Sequence, residues 1–195
     1  CRLVSSAGWT MRWNGWADVH PAGSIIIFTT LSGMGLGLMA LMGLGAIPPG
    51  GGAALVGAAL VFLLTGAGLV SSLFHLGHPE RAWRALSQWR SSWLSREGVL
   101  SVLALAVFGL HAGAMVFLDL NLWPLGCLAA LLATATVYAT AMIYGSLRSV
   151  PTWNDPLTPV VYLAFAAAGG TLAAALVARL FALPAAVLEL LAVVL

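Results

Sequence analysis

Two proton-exchanging side chains stand where long apolar runs meet a polar segment. His75 closes one run and Glu97 opens the next. Ionisable groups at a hydrocarbon boundary are costly to keep and mark function by default. An imidazole and a carboxylate facing each other there could hydrogen-bond a quinone ring. They could also exchange the two protons that a two-electron quinone step requires. Each has a structural reading as well. His75 could cap the last carbonyls of its helix, and Glu97 could be a first-turn carboxylate stabilised by the helix dipole.

The segment that joins them carries Arg81, Arg84, Arg90 and Arg96 interleaved with Trp83, Trp89 and Trp93. Pro79 suits the first turn of a helix, where its missing N–H would be an orphan anyway. Glu80 and Arg84 are spaced i, i+4. On a helical wheel Ala82, Leu86, Trp89 and Trp93 share one face, with Arg84, Ser87, Gln88, Ser91 and Ser95 on the other. This pattern predicts an amphipathic helix lying in the interface, its Trp in the headgroup zone. Such a helix could simply anchor the protein. Arg81 would hold the local potential positive or dock a partner. Trp83 would wall the quinone site, and Arg84 and Arg90 would dock the partner.

A second polar segment, 144–159, falls on the same side. Pro151, Pro156 and Pro159 forbid one continuous helix through it. Trp153 offers an aromatic wall for the quinone, Asn154 offers hydrogen-bonding groups, and Arg148 a docking charge. Read blandly, it is a rigid connector with an interfacial Trp.

Other candidates carry less. His111 lies fourteen residues beyond Glu97, roughly 21 Å along a helix axis. It cannot share an iron with His75 at the boundary, so no haem and no other metal site is expected. A helix–helix hydrogen bond or a proton path is the expected role of His111. Cys1 and Cys127 are the two cysteines. An iron–sulfur cluster normally needs four thiolates, so none is expected in this protein. Cys127 reads as a buried small hydrophobe.

These residues need elements to hold them, and composition says which. Of 195 residues, 61% are hydrophobic and 7% charged. Too few polar groups exist to cover a soluble domain or to support disorder. The class that remains is an all-α, polytopic transmembrane bundle. Five full spans are expected near 22–46, 53–74, 98–118, 122–147 and 157–180, with a partial sixth from about 184. All eight basic residues are Arg, too few for a nucleic-acid footprint. With five spans, Arg2, Arg12, Arg81, Arg84, Arg90, Arg96 and Arg148 share one side and Arg179 lies on the other. The positive-inside rule then places the amino terminus and the 75–97 loop in the cytoplasm. Small-residue clusters such as Gly33-Met34-Gly35-Leu36-Gly37 and Gly169-Gly170 read as helix packing.

Four stretches resemble the membrane anchor subunit of the dimethyl sulfoxide reductase type. They are His20-Pro21-Ala22-Gly23-Ser24-Ile25-Ile26-Ile27-Phe28-Thr29-Thr30, Ser71-Ser72-Leu73-Phe74-His75-Leu76-Gly77-His78-Pro79-Glu80-Arg81-Ala82-Trp83, Leu94-Ser95-Arg96-Glu97 and Val150-Pro151-Thr152-Trp153. They thread most of the sequence in order. The resemblance implies an anchor for a molybdopterin catalytic subunit and an iron–sulfur subunit, passing electrons between the nearest cluster and the quinone pool of a bacterial inner membrane. It implies no redox cofactor within the anchor, and a ubiquinone or menaquinone as its partner in electron transfer. The family's quinol-site histidine falls on His75 and its carboxylate on Glu97. Members usually have eight spans, so residues 1–195 would be the N-terminal part of one membrane-anchor domain.

Within that family, Gln88-Trp89-Arg90-Ser91-Ser92-Trp93-Leu94-Ser95-Arg96-Glu97 most resembles the anchor of cytoplasmic sulfite dehydrogenase. That implies sulfite oxidation in the partner, with both partner subunits on the cytoplasmic face. The alternative is an anchor for a complex that oxidises menaquinol. A transporter would call for internal repeats and broken mid-membrane helices, and no repeat is visible. A purely structural anchor differs from the quinone-reactive one only at His75 and Glu97.

Overall fold

The computed structural model describes residues 23–73, 83, 86–150 and 152–184. Five α-helices and no strand occur among them: α1 Gly23–Gly43, α2 Gly51–Leu73, α3 Trp93–Phe117, α4 Trp123–Gly145 and α5 Leu157–Leu180. Each is long and apolar enough to cross a membrane. The expected sixth span, from 185 onward, lies outside the described residues.

The helix ends follow from local chemistry. Gly45 stops α1 with φ +87°. Its N–H donates to the Met42 carbonyl and the Ala46 N–H to the Leu41 carbonyl, the Schellman pattern that favours glycine. Pro48 and Pro49 then keep the backbone out of helix until Gly51. Ser92 caps α3, its hydroxyl accepting from the Ser95 N–H at 3.5 Å. The helix therefore starts at Trp93, one turn before the expected start near 98, and Glu97 falls inside it. Pro124 sits in the first turn of α4, where its missing N–H is no loss.

Side-chain size is sorted inside out. The core is largely alanine and small residues, including Ala54, Ala104, Ala129, Ala133 and Ala174, around Met39, Met42 and Phe108. Large apolar side chains such as Leu63, Val102, Leu110, Leu131 and Phe165 point outward. In water this surface would drive aggregation. In hydrocarbon it costs nothing, and small residues inside let helices approach and gain dispersion contacts. Several buried hydroxyls are paired within their own helices, while those of Thr65 and Ser95 have no hydrogen-bond partner among the described residues. Ser32 donates to the Phe28 carbonyl at 2.6 Å and Thr171 to the Ala167 carbonyl at 2.8 Å.

Helix α1 is the hub, packing on α2, α4 and α5, while α3 packs mainly on α4. The tightest crossing joins α1 to α5. A methyl group on Gly170 would stand 2.6 Å from the Gly37 Cα and 2.6 Å from the Leu38 N. Only glycine permits that approach. Four residues toward the start of α1 the packing is looser: a methyl on Gly33 would meet Ala166 at 3.9 Å, an ordinary contact. By parity, the start of α1, the end of α2, the start of α3, the end of α4 and the start of α5 share one end of the bundle. The opposite end is tied by the Gly50 N–H donating to the Met115 carbonyl at 2.9 Å.

Candidate functional site

Glu97 belongs to a buried stripe on α3. Glu97, Ser101, Ala104, Phe108, His111 and Met115 recur at helical spacing and are all buried. The Glu97 side chain is 5% exposed. Its Oε1 accepts a 2.6 Å hydrogen bond from the Thr140 hydroxyl on α4. The same hydroxyl lies 3.0 Å from the Thr136 carbonyl. One proton cannot serve both acceptors fully. The two contacts become simultaneous hydrogen bonds if Glu97 carries a proton and donates it to Thr140, which then donates to Thr136. The pair thus has two arrangements that differ by one proton.

Aromatic side chains surround this end of the bundle. The Tyr144 ring meets Trp153 edge-on at 5.4 Å and stacks on Tyr162 at 5.8 Å. Both tyrosines lie within electrostatic range of Glu97. Trp153 is 45% exposed at the outer end of that row. Its loop is knitted to the helices it joins. Asn154 Nδ2 donates to the Gly145 carbonyl at 2.6 Å, and the Thr158 hydroxyl to the Trp153 carbonyl at 2.8 Å. Trp153 thus reaches Tyr144 at this end of the bundle.

Beside Thr140 lies a cavity of about 560 Å³ between α1, α4 and α5. Thr30, Met34, Val137, Thr140, Tyr162 and Phe165 are among its walls. It runs along the α1–α5 seam beside the Gly37–Gly170 crossing, from Val161 to Leu172 on α5. Thr140 thus faces the cavity and holds Glu97.

The segment before α3 is described in part. Residues 86–88 form a single 3₁₀ turn and 89–91 a turn, so the continuous amphipathic helix is not drawn through them. What orders this stretch is Arg96. Its Nε donates to the Trp89 carbonyl at 3.0 Å, its Nη2 to the Arg90 carbonyl at 2.8 Å, and its guanidinium lies 4.3 Å from the Trp93 ring centroid. Trp83 is 67% exposed. The Arg90 guanidinium lies over the Trp89 ring at 5.7 Å, and Arg148 is exposed on the neighbouring loop. His75, Arg81 and Arg84 lie outside the described residues.

Two expectations change. Cys127 faces outward from α4 rather than inward, because Gly126 and Ala130 beside it take the buried positions in a core built from small residues. His111 is wholly buried, yet neither ring nitrogen makes a hydrogen bond of standard geometry. The backbone of Leu122 and of Met42 lies beside the ring, and Phe108 packs at 6.3 Å. Thr140, Tyr144 and Tyr162 were not singled out by the sequence. The available signal was Thr136, Thr140 and Tyr144 at i, i+4 spacing within an apolar span.

Comparison with known proteins agrees with this architecture. The model of the DMSO reductase anchor subunit family (DmsC) matches residues 14–195. The C subunit of the sulfite dehydrogenase of Allochromatium vinosum is 38% identical over 179 residues, covering 80% of this protein and 55% of that one. An anaerobic dimethyl sulfoxide reductase chain of Haemophilus influenzae is 31% identical over 123 residues, covering 60% of this protein and 43% of that one. The anaerobic dimethyl sulfoxide reductase chain YnfH of Escherichia coli is 29% identical over 175 residues, covering 85% and 59%. The present sequence spans about half the length of the relatives it matches. No solved structure matches. With nearly its whole length matched by one family, this multi-pass membrane protein belongs to the DMSO reductase anchor subunit family.

Proposed function

We propose that this anchor passes electrons from sulfite oxidation to the quinone pool of a bacterial inner membrane. A molybdopterin subunit oxidises sulfite, and an iron–sulfur subunit carries the electrons to the anchor. Both dock on the cytoplasmic face, at the end of the bundle bearing Glu97, Arg90 and Arg148. Ubiquinone or menaquinone binds at that end, where His75 hydrogen-bonds it and Glu97 exchanges a proton with it. Arg81 keeps the local potential positive, and Trp83 and Trp153 flank the site. Arg84, Arg90 and Arg148 steer the docking.

The observation that carries this reading is Glu97 itself. A carboxyl buried among helices is expensive unless it is used, and this one has a hydroxyl partner and an aromatic surround. The sulfite assignment draws on the likeness to the sulfite dehydrogenase relative at 38% identity. The likeness to dimethyl sulfoxide reductase relatives supports a second reading, in which the same site oxidises menaquinol.

The test is made on the purified complex. His75→Ala and Glu97→Gln should each lower quinone reduction by about a hundredfold, the scale of a lost acid–base group. Sulfite oxidation by an artificial acceptor should persist. Quinone reduction at the unmodified rate in both variants would leave a passive tether.

A further inference from the structure

We propose that the cavity between α1, α4 and α5 receives the quinone ring, with Thr140 as the hydroxyl that links the ring to Glu97. This rests on the quinone reading above and says where the ring lies. Nothing in the position of His75 and Glu97 along the sequence points to this side of the bundle.

Shape comes first. The Gly37–Gly170 crossing pins α1 against α5, and the packing loosens one turn away, where a methyl on Gly33 would meet Ala166 at ordinary contact distance. The cavity holds about 560 Å³, within the range of small-molecule sites, roughly 300–1,000 Å³. The chemistry also fits. The walls are mostly apolar, from Met34, Val137 and Phe165, with a few hydroxyls, of which Ser32 and Thr140 are buried, and Ser32 is already paired with the Phe28 carbonyl. That mixture of apolar wall and sparse polar groups marks a small-ligand site. Tyr162 presents a ring backed by Tyr144 at 5.8 Å, a flat surface on which another flat ring can stack.

The way in is lateral. Thr30, Val161, Phe165 and Leu172 line the cavity and are exposed on the outer surface of the bundle. Phe165 is 74% exposed. A ligand dissolved in hydrocarbon can enter there between α1 and α5 and leave its aliphatic tail in the membrane. Inside, the ring meets Thr140, and Thr140 already holds the Glu97 carboxyl at 2.6 Å. Thr140 orients the carboxyl and links it to the ring: with Glu97 protonated and donating to Thr140, the one hydroxyl proton turns from the Thr136 carbonyl to a quinone carbonyl.

The test uses an azido-quinone with a decyl tail, photolysed on the whole complex in nanodiscs, with labelled peptides mapped by mass spectrometry. Label should fall within 29–36 and 161–172 and be displaced by excess unlabelled quinone. Thr30→Trp, which fills the mouth, should abolish it. Thr140→Val should weaken quinone binding roughly three- to tenfold, the scale of one neutral hydrogen bond, and Thr140→Ser should restore it. Displaceable label confined to 74–97 would overturn the cavity while leaving the quinone reading standing. No displaceable label anywhere would overturn both. Cavity label displaced by phospholipid but not by quinone would make it an acyl-chain crevice and also overturn the proposal.

Discussion

The hydroxyl of Thr140 and the carboxyl of Glu97 meet at 2.6 Å across the α3–α4 interface, and the contact is buried. It sorts the effects of substitution. Glu97→Gln keeps an oxygen to accept from Thr140 but has no proton to exchange. Assembly should therefore be retained while quinone reduction falls. Glu97→Leu removes the acceptor and leaves Thr140 its Thr136 carbonyl at 3.0 Å. Thr140→Val is the harsher structural change, because it leaves a buried carboxyl without its hydroxyl partner. A cost of about 1–3 kcal/mol is expected, read as lower thermal stability of the detergent-solubilised complex. Equal stability of Thr140→Val and Thr140→Ser would contradict it.

The sequence made the spans legible because apolar length alone identifies them. All five helices lie within a few residues of expectation except the start of α3. That start depends on one cap, Ser92, and it decides whether Glu97 sits at a helix mouth or inside. The stripe from Glu97 through Ser101, Ala104, Phe108 and His111 went unread, although Glu97, Ser101 and His111 fall on one helical face and polar groups in a span turn inward. The cavity was not readable. It lies beside a crossing between Gly37 and Gly170, far apart in sequence, and no local pattern reports how closely two helices pack. Cys127 misled because apolarity does not choose between core and lipid when both are apolar.

Two glycines that look alike in the sequence should behave oppositely. Gly170→Ala places a methyl against the backbone of Gly37 and Leu38, which no side-chain rotation relieves. A loss of about 1–3 kcal/mol is expected from overpacking. Gly66→Ala meets nothing within 4 Å and should gain up to about 1 kcal/mol from helix propensity. Thermal unfolding of the solubilised protein reads both signs. Matching losses would mean that the α1–α5 crossing is looser than described.

Arg96 should act as the pin of the segment before α3. Its guanidinium donates to two carbonyls, those of Trp89 and Arg90, and stacks on Trp93. Arg96→Ala should raise hydrogen exchange across 86–92 and leave α4 and α5 unchanged. Arg96→Lys should recover little, since an ammonium lacks the planar fork that serves two acceptors and a ring at once. Exchange unchanged in Arg96→Ala would show that other contacts hold the segment.

Charge should set the orientation of the bundle, and cysteine accessibility reads it directly. Ser149, next to Arg148, lies at the Glu97 end of the bundle, while Asn121 lies at the opposite end. The background must replace Cys1 and Cys127, since Cys127 is exposed on α4. In intact cells a membrane-impermeant maleimide should label Asn121→Cys and spare Ser149→Cys. In inverted inner-membrane vesicles the pattern should reverse. Assembly with the catalytic subunits should then protect Ser149→Cys and leave Asn121→Cys as reactive as before, because docking at the arginine-bearing end covers only that end. Labelling of Ser149→Cys in intact cells would invert the orientation and place the docking face across the membrane from the cytoplasm.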